Sequence, residues 1–254
     1  MDIATFIGLI VAFGAVAGSF LLEGGQLNSL FLTAPILVVI GGTLGATTIT
    51  TSIQTVAHVP HYLKVAAFGK SYLFNESIDA IVKLAEKARR QGILGLEEDL
   101  KKITDPFFKK AIQLVIDGTE VTALREILET EIVYTEERHK RGIIFFQKAG
   151  GFSPTMGILG TVLALIHAFG NVSDASTMAV RIASAFIATL WGVGLANLFF
   201  LPISDKLRMR HEEEIAHLEL VMEGILAMQS GENPRYVRTR LLSFIDPRHR
   251  RHEV

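Results

Sequence analysis

The sequence predicts an all-α membrane protein with four transmembrane helices, a helical cytoplasmic domain between spans two and three, and a C-terminal cytoplasmic helix. Three observations carry this. Apolar residues make up 49% of the 254 residues, and the mean hydropathy is +0.37. They are not spread evenly but collect in two blocks, one at the N-terminus and one after residue 150. Each block holds two nearly uncharged runs close to the roughly 20 residues a helix needs to cross a bilayer. Finally, Lys and Arg are absent from the short links inside each block and crowd the segment between the blocks and the tail, the asymmetry that places those basic regions in the cytoplasm.

The first span runs from about Ile3 to Leu22, between Asp2 and Glu23. It is too long for a secretory leader, lacks a basic start, and is followed closely by another apolar run. The second runs from about Leu30 to Ile53, the third from about Phe152 to Phe169, and the fourth from about Met178 to Ile203, where Asp205 and Lys206 close it. Glu23 to Asn28 link the first pair, and Gly170-Asn171-Val172-Ser173-Asp174 link the second. The predicted divisions are 1–54 for spans one and two, 55–150 for a cytoplasmic helical domain, 151–203 for spans three and four, and 204–254 for the cytoplasmic helix and tail. Both termini fall in the cytoplasm.

In the cytoplasmic domain, Ile78, Ile81, Val82 and Ala85 form a buried stripe at helical spacing over Ser77 to Gln91, with Gly92 as the C-cap. A second helix is predicted after Gly95, ending before Pro106, with Asp105 capping the next. Val121, Leu124, Leu128 and Ile132 repeat helically among charged residues and lead towards span three. Asp205 to Met228 reads as a further charged helix, and a short basic segment ends the chain.

Several function classes fall away. With 25 basic against 26 acidic residues the net charge is −1, giving no reason to expect a nucleic-acid partner. There is no cysteine, which removes disulfides and thiolate metal sites. No Gly-rich loop with a lysine exists to cradle a nucleotide phosphate. His211 and His217 do not share the i, i+4 face of a zinc helix, because Ile215 stands four residues after His211; a solvated helix face is the reading here. The chain is not expected to be an enzyme, and no cofactor is expected.

The spans are informative for what they lack. Asp2, Glu23, Asp174 and Asp205 all lie at span ends, so a conducting pathway would take its carboxylate from a second polypeptide. His167 lies about 22 Å along the helix from Phe152, near the outer surface; it is either a hydrogen-bonded interface histidine, the favoured reading, or an ion relay. Thr161 and Thr189 each lie roughly 14–17 Å deep, near the bilayer midplane. A hydroxyl there either ligates a cation or holds a water, or it bonds its own i−4 carbonyl. Pro154 and Pro202 sit near the cytoplasmic ends of spans three and four, marking helix ends or hinges. Small residues recur four apart, as in Gly14 and Gly18, Gly41 and Gly45, and Gly160 with Ala164, allowing close helix approach.

The segments Ala88-Arg89-Arg90-Gln91-Gly92-Ile93-Leu94-Gly95-Leu96-Glu97, Pro154-Thr155-Met156-Gly157-Ile158-Leu159-Gly160-Thr161 and Ala188-Thr189-Leu190-Trp191-Gly192 through Leu195-Ala196-Asn197 to Pro202-Ile203 resemble the flagellar stator A subunits, called MotA in proton-driven motors and PomA or MotP in sodium-driven ones. The resemblance covers essentially the whole chain. It implies an inner-membrane ring of five A subunits around two B subunits, each B subunit carrying an intramembrane Asp and a peptidoglycan-gripping domain. Ion flow turns the ring, which pushes on the rotor's switch-complex protein. It further implies that Arg89 and Glu97, with neighbouring Arg90, engage the rotor from two adjacent helices. Pro154 and Pro202 match the family's conformational-coupling prolines, and Thr161, Thr189 and Asn197 match its ion path.

Thr161 and Asn197 look sodium-like, while Ala188 and the segment His167-Ala168-Phe169-Gly170 look proton-like; the reading leans to sodium. The runner-up is an ExbB/TolQ-type energiser of outer-membrane processes, which usually has three spans and so lacks the first hairpin seen here. A purely structural membrane scaffold would tolerate a bulky apolar residue at Thr189.

Overall fold

Helix accounts for every regular element of the computed structural model, which describes residues 3–69, 72–170 and 172–250; no strand occurs among them. Asp2 and Asn171, read as flanks of predicted spans, lie outside the described residues. The main helices are α1 (Ile3–Leu22), α2 (Thr33–Ile49), α3 (Ile53–Ala57), α4 (Val59–Phe68), α5 (Phe74–Gln91), α6 (Pro106–Ile116), α7 (Val121–Phe169), α8 (Ala175–Gln229) and α9 (Pro234–Leu241). Of these, α1, α7 and α8 are long and apolar enough to cross a membrane, and α2 is a shorter apolar helix. The chain divides into two units, residues 1–70 with 139–210 and residues 71–138 with 211–254. The division falls inside both α7 and α8.

In the first unit α1 matches the predicted span end to end. The second predicted span is too long at both ends. Leu30 belongs to a separate 3₁₀ turn, Leu27–Leu30, and the helix stops at Ile49, with Thr50 as its C-cap. The cause is local. Thr50 and Thr51 turn their hydroxyls back onto the carbonyl of Thr47 at 2.9 and 3.0 Å, while Ser52 accepts from the amide of Thr55 and opens α3. Short hydroxyl side chains compete with the helix ladder in this way. Spans three and four lie within longer helices: span three is the end of α7, 49 residues long, and span four is the early part of α8, which continues past Asp205 to Gln229. The core beneath the spans is built from Ala66, Ile143, Phe145, Phe146, Ala149, Phe200, Ile203 and Leu207.

The second unit has its own core. Ile78, Ile81, Val82 and Ala85 of α5 are buried as their spacing predicts, together with Leu124 and Leu128 of α7 and Phe107, Phe108 and Ile112 of α6. Asp105 caps α6 by accepting from the amide of Phe108 at 2.9 Å. Gly92 ends α5 with φ of 79°, a left-handed conformation that side chains disfavour. The helix predicted between Gly95 and Pro106 does not form. Two 3₁₀ turns, Ile93–Leu96 and Asp99–Lys101, occupy this stretch, and Asp99 is drawn to Lys87 at 2.7 Å and Lys102 at 3.1 Å. The basic segment at the end of the chain is in part helical. It forms α9, burying Val237 and Leu241 against Ile81 and Ile225 in the same core, and Arg238 pairs with Asp79 at 2.8 Å.

His217 corrects the reading of a solvated face. Its ring is 4% exposed, stacked on Tyr72 at 4.7 Å and edge-on to Phe74 at 5.8 Å. One ring nitrogen, Nε2, is 2.8 Å from the hydroxyl of Ser77. Five of the seven residues from His211 to His217 are acidic or imidazole and look polar in sequence, but on a helix residues three and four apart share a face, and His217 falls in line with buried Leu220 and Val221. Burial holds the His217 imidazole below its ordinary pKa of 6.5, against the opposing pull of Asp105 and Glu214. The Tyr72 hydroxyl is pushed well above its ordinary value by burial and by Glu214, with smaller effects from Asp105 and Glu213.

Between the lowered value and about 6.5, the unfolded chain binds more protons at His217 than the folded one. Stability therefore rises with pH across that window, is fully present above it, and is lost as pH falls through it. We expect the urea midpoint of the purified protein to drop from about pH 7 to about pH 5, and the drop to shrink in His217→Gln, which has no imidazole to charge. An equal drop in both proteins would mean that His217 is not the linked group.

Candidate ion path

Lipid offers no hydrophobic drive for two apolar helices to associate, so close packing and hydrogen bonds set how α7 and α8 meet. Glycine supplies the closest approach. A Cβ on Gly192 would lie 2.8 Å from the Cα of Gly157 and 2.8 Å from the carbonyl oxygen of Ser153, and one on Gly157 would lie 2.9 Å from the carbonyl oxygen of Ala188. Backbone meets backbone here. The buried hydroxyl of Ser153 then donates to the carbonyl of Gly192 at 2.9 Å, closing the contact with a bond between helices. One turn further along α7, Gly160 packs on the Cβ of Ala188. The repeats noted at Gly14, Gly18 and Gly45 face open space instead. The pair that matters, Gly157 and Gly192, was legible only as part of two longer motifs.

This crossing brings the two predicted threonines together. The hydroxyls of Thr161 and Thr189 are 2.6 Å apart. The Thr161 oxygen is also 3.0 Å from the carbonyl of Gly157, its own i−4 partner, and 3.0 Å from the carbonyl of Ala185 on the other helix. Thr161 has one proton for two carbonyls. When Thr189 donates to it and Thr161 donates onward, the lone pairs of Thr189 stay available on the exposed side of the helix pair. Of the alternatives left by the sequence, the back-bond to the i−4 carbonyl is present at Thr161, within a set of four oxygens in an otherwise apolar surface. Ile158, Val162, Ile166 and Phe186 around it are exposed in the single chain.

Asn197 is not part of this cluster. Its amide donates to the carbonyl of Val193 at 2.9 Å, and it lies in a π-helical turn, Ala196–Phe200, within α8. His167 has its Nδ1 3.0 Å from the carbonyl of Leu163 on its own helix. Pro154 lies inside α7, and Pro202 follows the π turn by two residues. A proline withdraws a backbone donor and crowds the carbonyl four residues before it; the wider π turn gives that carbonyl room. The two defects meet: Gly150, which loses its donor to Pro154, packs on the side chain of Leu201, the neighbour of Pro202. Close by, buried Ser204 donates to the carbonyl of Ile143 at 3.0 Å. Trp191 donates to the carbonyl of Leu30 at 2.7 Å and tilts against Phe31, fixing the lead-in of α2 to α8. Ser153, Ser204 and Trp191 were not singled out from the sequence, because a lone polar residue in an apolar run does not announce its partner.

In the other unit Arg89 and Arg90 occupy the last turn of α5 and are exposed. Glu97 is exposed as well, but it ends a 3₁₀ turn and does not sit on a second helix, as the motif reading expected.

Residues 6–92 match the family described as Motility protein A N-terminal, and residues 99–220 match the MotA/TolQ/ExbB proton channel family. The chain is similar to Motility protein A of Borreliella burgdorferi, 34% identical over 98% of this chain and 96% of the relative. It is equally similar to Chemotaxis protein PomA of Vibrio alginolyticus, 34% identical over 100% and 99% of the two chains. Among solved structures it resembles that of C. jejuni MotAB, with a TM-score of 0.92 and 28% identity, covering 99% of this chain and 100% of that one.

Gly192→Val should force the two backbones apart, destabilising the helix pair by about 1–3 kcal/mol as over-packing does. Gly194→Val meets nothing within 4 Å and should leave stability unchanged. Thermal unfolding of the detergent-solubilised chain tests both, and equal melting of the two variants would remove the glycine contact from its role.

Proposed function

Because this chain belongs to the MotA/TolQ/ExbB proton channel family and is a stator A subunit of the bacterial flagellar motor, we propose that the Thr161–Thr189 oxygen cluster is its share of the ion path. The 2.6 Å pairing of those hydroxyls carries the reading. A cation leaving water needs oxygen ligands or a hydrogen-bonded water chain, and the spans hold no carboxylate at that level. The chain supplies the hydroxyls and a B subunit, the second component named in the C. jejuni MotAB structure, supplies an intramembrane Asp. The A subunits form a ring, taken as a pentamer around the B helices, and the exposed apolar faces of α7 and α8 are surfaces such a ring would cover.

In this reading α1, α2 and the apolar parts of α7 and α8 are four spans of the inner membrane, with both termini in the cytoplasm. The divisions are 1–54, 55–150, 151–203 and 204–254. Asn197 continues the path through the π turn. Pro154 and Pro202, whose segments touch through Gly150 and Leu201, are the compliant points where ion occupancy bends the helices. Arg89, Arg90 and Glu97 present charge of both signs to the rotor's switch-complex protein. The match of residues 6–92 to the Motility protein A N-terminal family favours the flagellar role over an ExbB/TolQ-type energiser. No catalytic step is involved; the traffic is H+ or Na+, with sodium favoured by the all-oxygen surroundings.

Thr189→Val keeps the shape and removes the hydroxyl. Cells carrying it should assemble stators at normal levels and lose most swimming, whereas Thr189→Ser should swim. Wild-type swimming by Thr189→Val would refute the path. Replacing external sodium with potassium at constant membrane voltage should stop motility; unchanged speed would assign the ion as the proton.

A further inference from the structure

The π turn of α8 and the proline that follows it act on the same backbone oxygen. In a π turn an amide reaches back five residues instead of four. The amide of Leu201 does so, donating to the carbonyl of Ala196 at the end of the Ala196–Phe200 turn. The carbonyl of Asn197 then has two candidate donors. In the ordinary helical register its donor is the Leu201 amide, already spent on Ala196. In the wider register its donor is residue 202, a proline with no N–H to give. Either defect alone leaves the Asn197 carbonyl a donor. Together they withdraw both.

The position of this oxygen gives it a use. Thr189, Val193 and Asn197 follow one another at four-residue steps along α8 and are all exposed, so they share a face. Eight residues at 1.5 Å each put Asn197 about 12 Å from Thr189 along the helix axis. Pro202, the residue that withholds the donor, is exposed as well. The Asn197 side chain brings a second oxygen. Its nitrogen donates to the carbonyl of Val193 at 2.9 Å, which leaves Oδ1 as an acceptor. Hydrocarbon has nothing to offer a backbone oxygen. An unpaired carbonyl at membrane depth persists only where protein covers it or where it lines a wet cavity. Interrupted membrane helices whose carbonyls are freed in this way are a known means of holding Na+.

We propose that the main-chain carbonyl and Oδ1 of Asn197 form a cation site on the cytoplasmic side of the threonine pair, and that Pro202 keeps this site open by withholding a donor. The proposal rests on the reading of Thr161 and Thr189 as the ion path. It deepens that reading by giving the ion its next ligands after the hydroxyls, one of them a backbone oxygen that no side-chain substitution removes. It also assigns the Thr189–Asn197 face of α8 to the path and not to lipid.

The test uses the intact stator, this chain with its B subunit, in a stator-null strain. Motor speed is recorded against sodium concentration at fixed membrane voltage, and fluorescent stator units are counted at each motor. Pro202→Ala and Pro202→Gly both supply an N–H at position 202. Each should raise the half-saturating sodium concentration about tenfold, the loss of one oxygen ligand to a charge, with stator numbers unchanged. The α-hydroxy analogue of alanine, placed at 202 by nonsense suppression, has neither ring nor N–H and should recover most of that loss. A hinge predicts a different order, with flexible glycine outperforming alanine. That order, or a wild-type sodium curve in Pro202→Ala, overturns the proposal. If Pro202→Ala fails to assemble, the hydroxy analogue decides: a near-wild-type curve supports the site and a shifted one refutes it. If the ion proves to be the proton, external pH replaces sodium in the same titration. Should Thr189→Val abolish swimming while Pro202→Ala and the hydroxy analogue share one curve, the carbonyl site falls and the threonine path stands. Should Thr189→Val swim as wild type, the path reading itself falls.

Discussion

The contact between the backbones of Gly157 and Gly192 is the constraint on which the membrane unit depends. Every other feature of the helix pair follows from how closely it lets α7 and α8 lie. At that separation the hydroxyl of Ser153 reaches across to the carbonyl of Gly192, and one turn on, Thr161 reaches both Thr189 and the carbonyl of Ala185. A side chain at either glycine would open the crossing by more than a hydrogen bond can span. The polar chemistry of this unit is therefore a consequence of the smallest residues in it. In a bilayer, where helices gain nothing from escaping water, this is how geometry becomes specific.

Much of this was legible from the residues alone. The bounds of α1, the buried stripe of α5, the cap at Gly92 and the cap at Asp105 follow from local rules that act within one or two turns. The placing of Thr161 and Thr189 midway along their apolar runs followed from counting residues, although their meeting did not. Failures share a cause. Thr50 to Ser52 ended α2 early because their hydroxyls found nearby backbone partners, which a hydropathy count ignores. His217 was assigned to a solvated face on composition, yet tertiary packing turned it onto Tyr72. Non-local partners such as Ile143 for Ser204, or Leu30 for Trp191, leave no signature within a sequence window.

The two units use glycine differently. In the membrane unit it removes bulk so that helices touch. In the polar unit Gly92 and Gly231 take left-handed conformations that stop helices cleanly. The same residue type thus sets a spacing in one place and a helix end in the other, and neither use can be inferred from its frequency.

One last feature concerns α1. Not one of its residues is buried within the chain, and its contacts inside the protomer, such as Phe6 against Phe68, leave most of its surface outward. What the protomer demands of that outward surface is a length and an average oiliness, terms that many sequences satisfy.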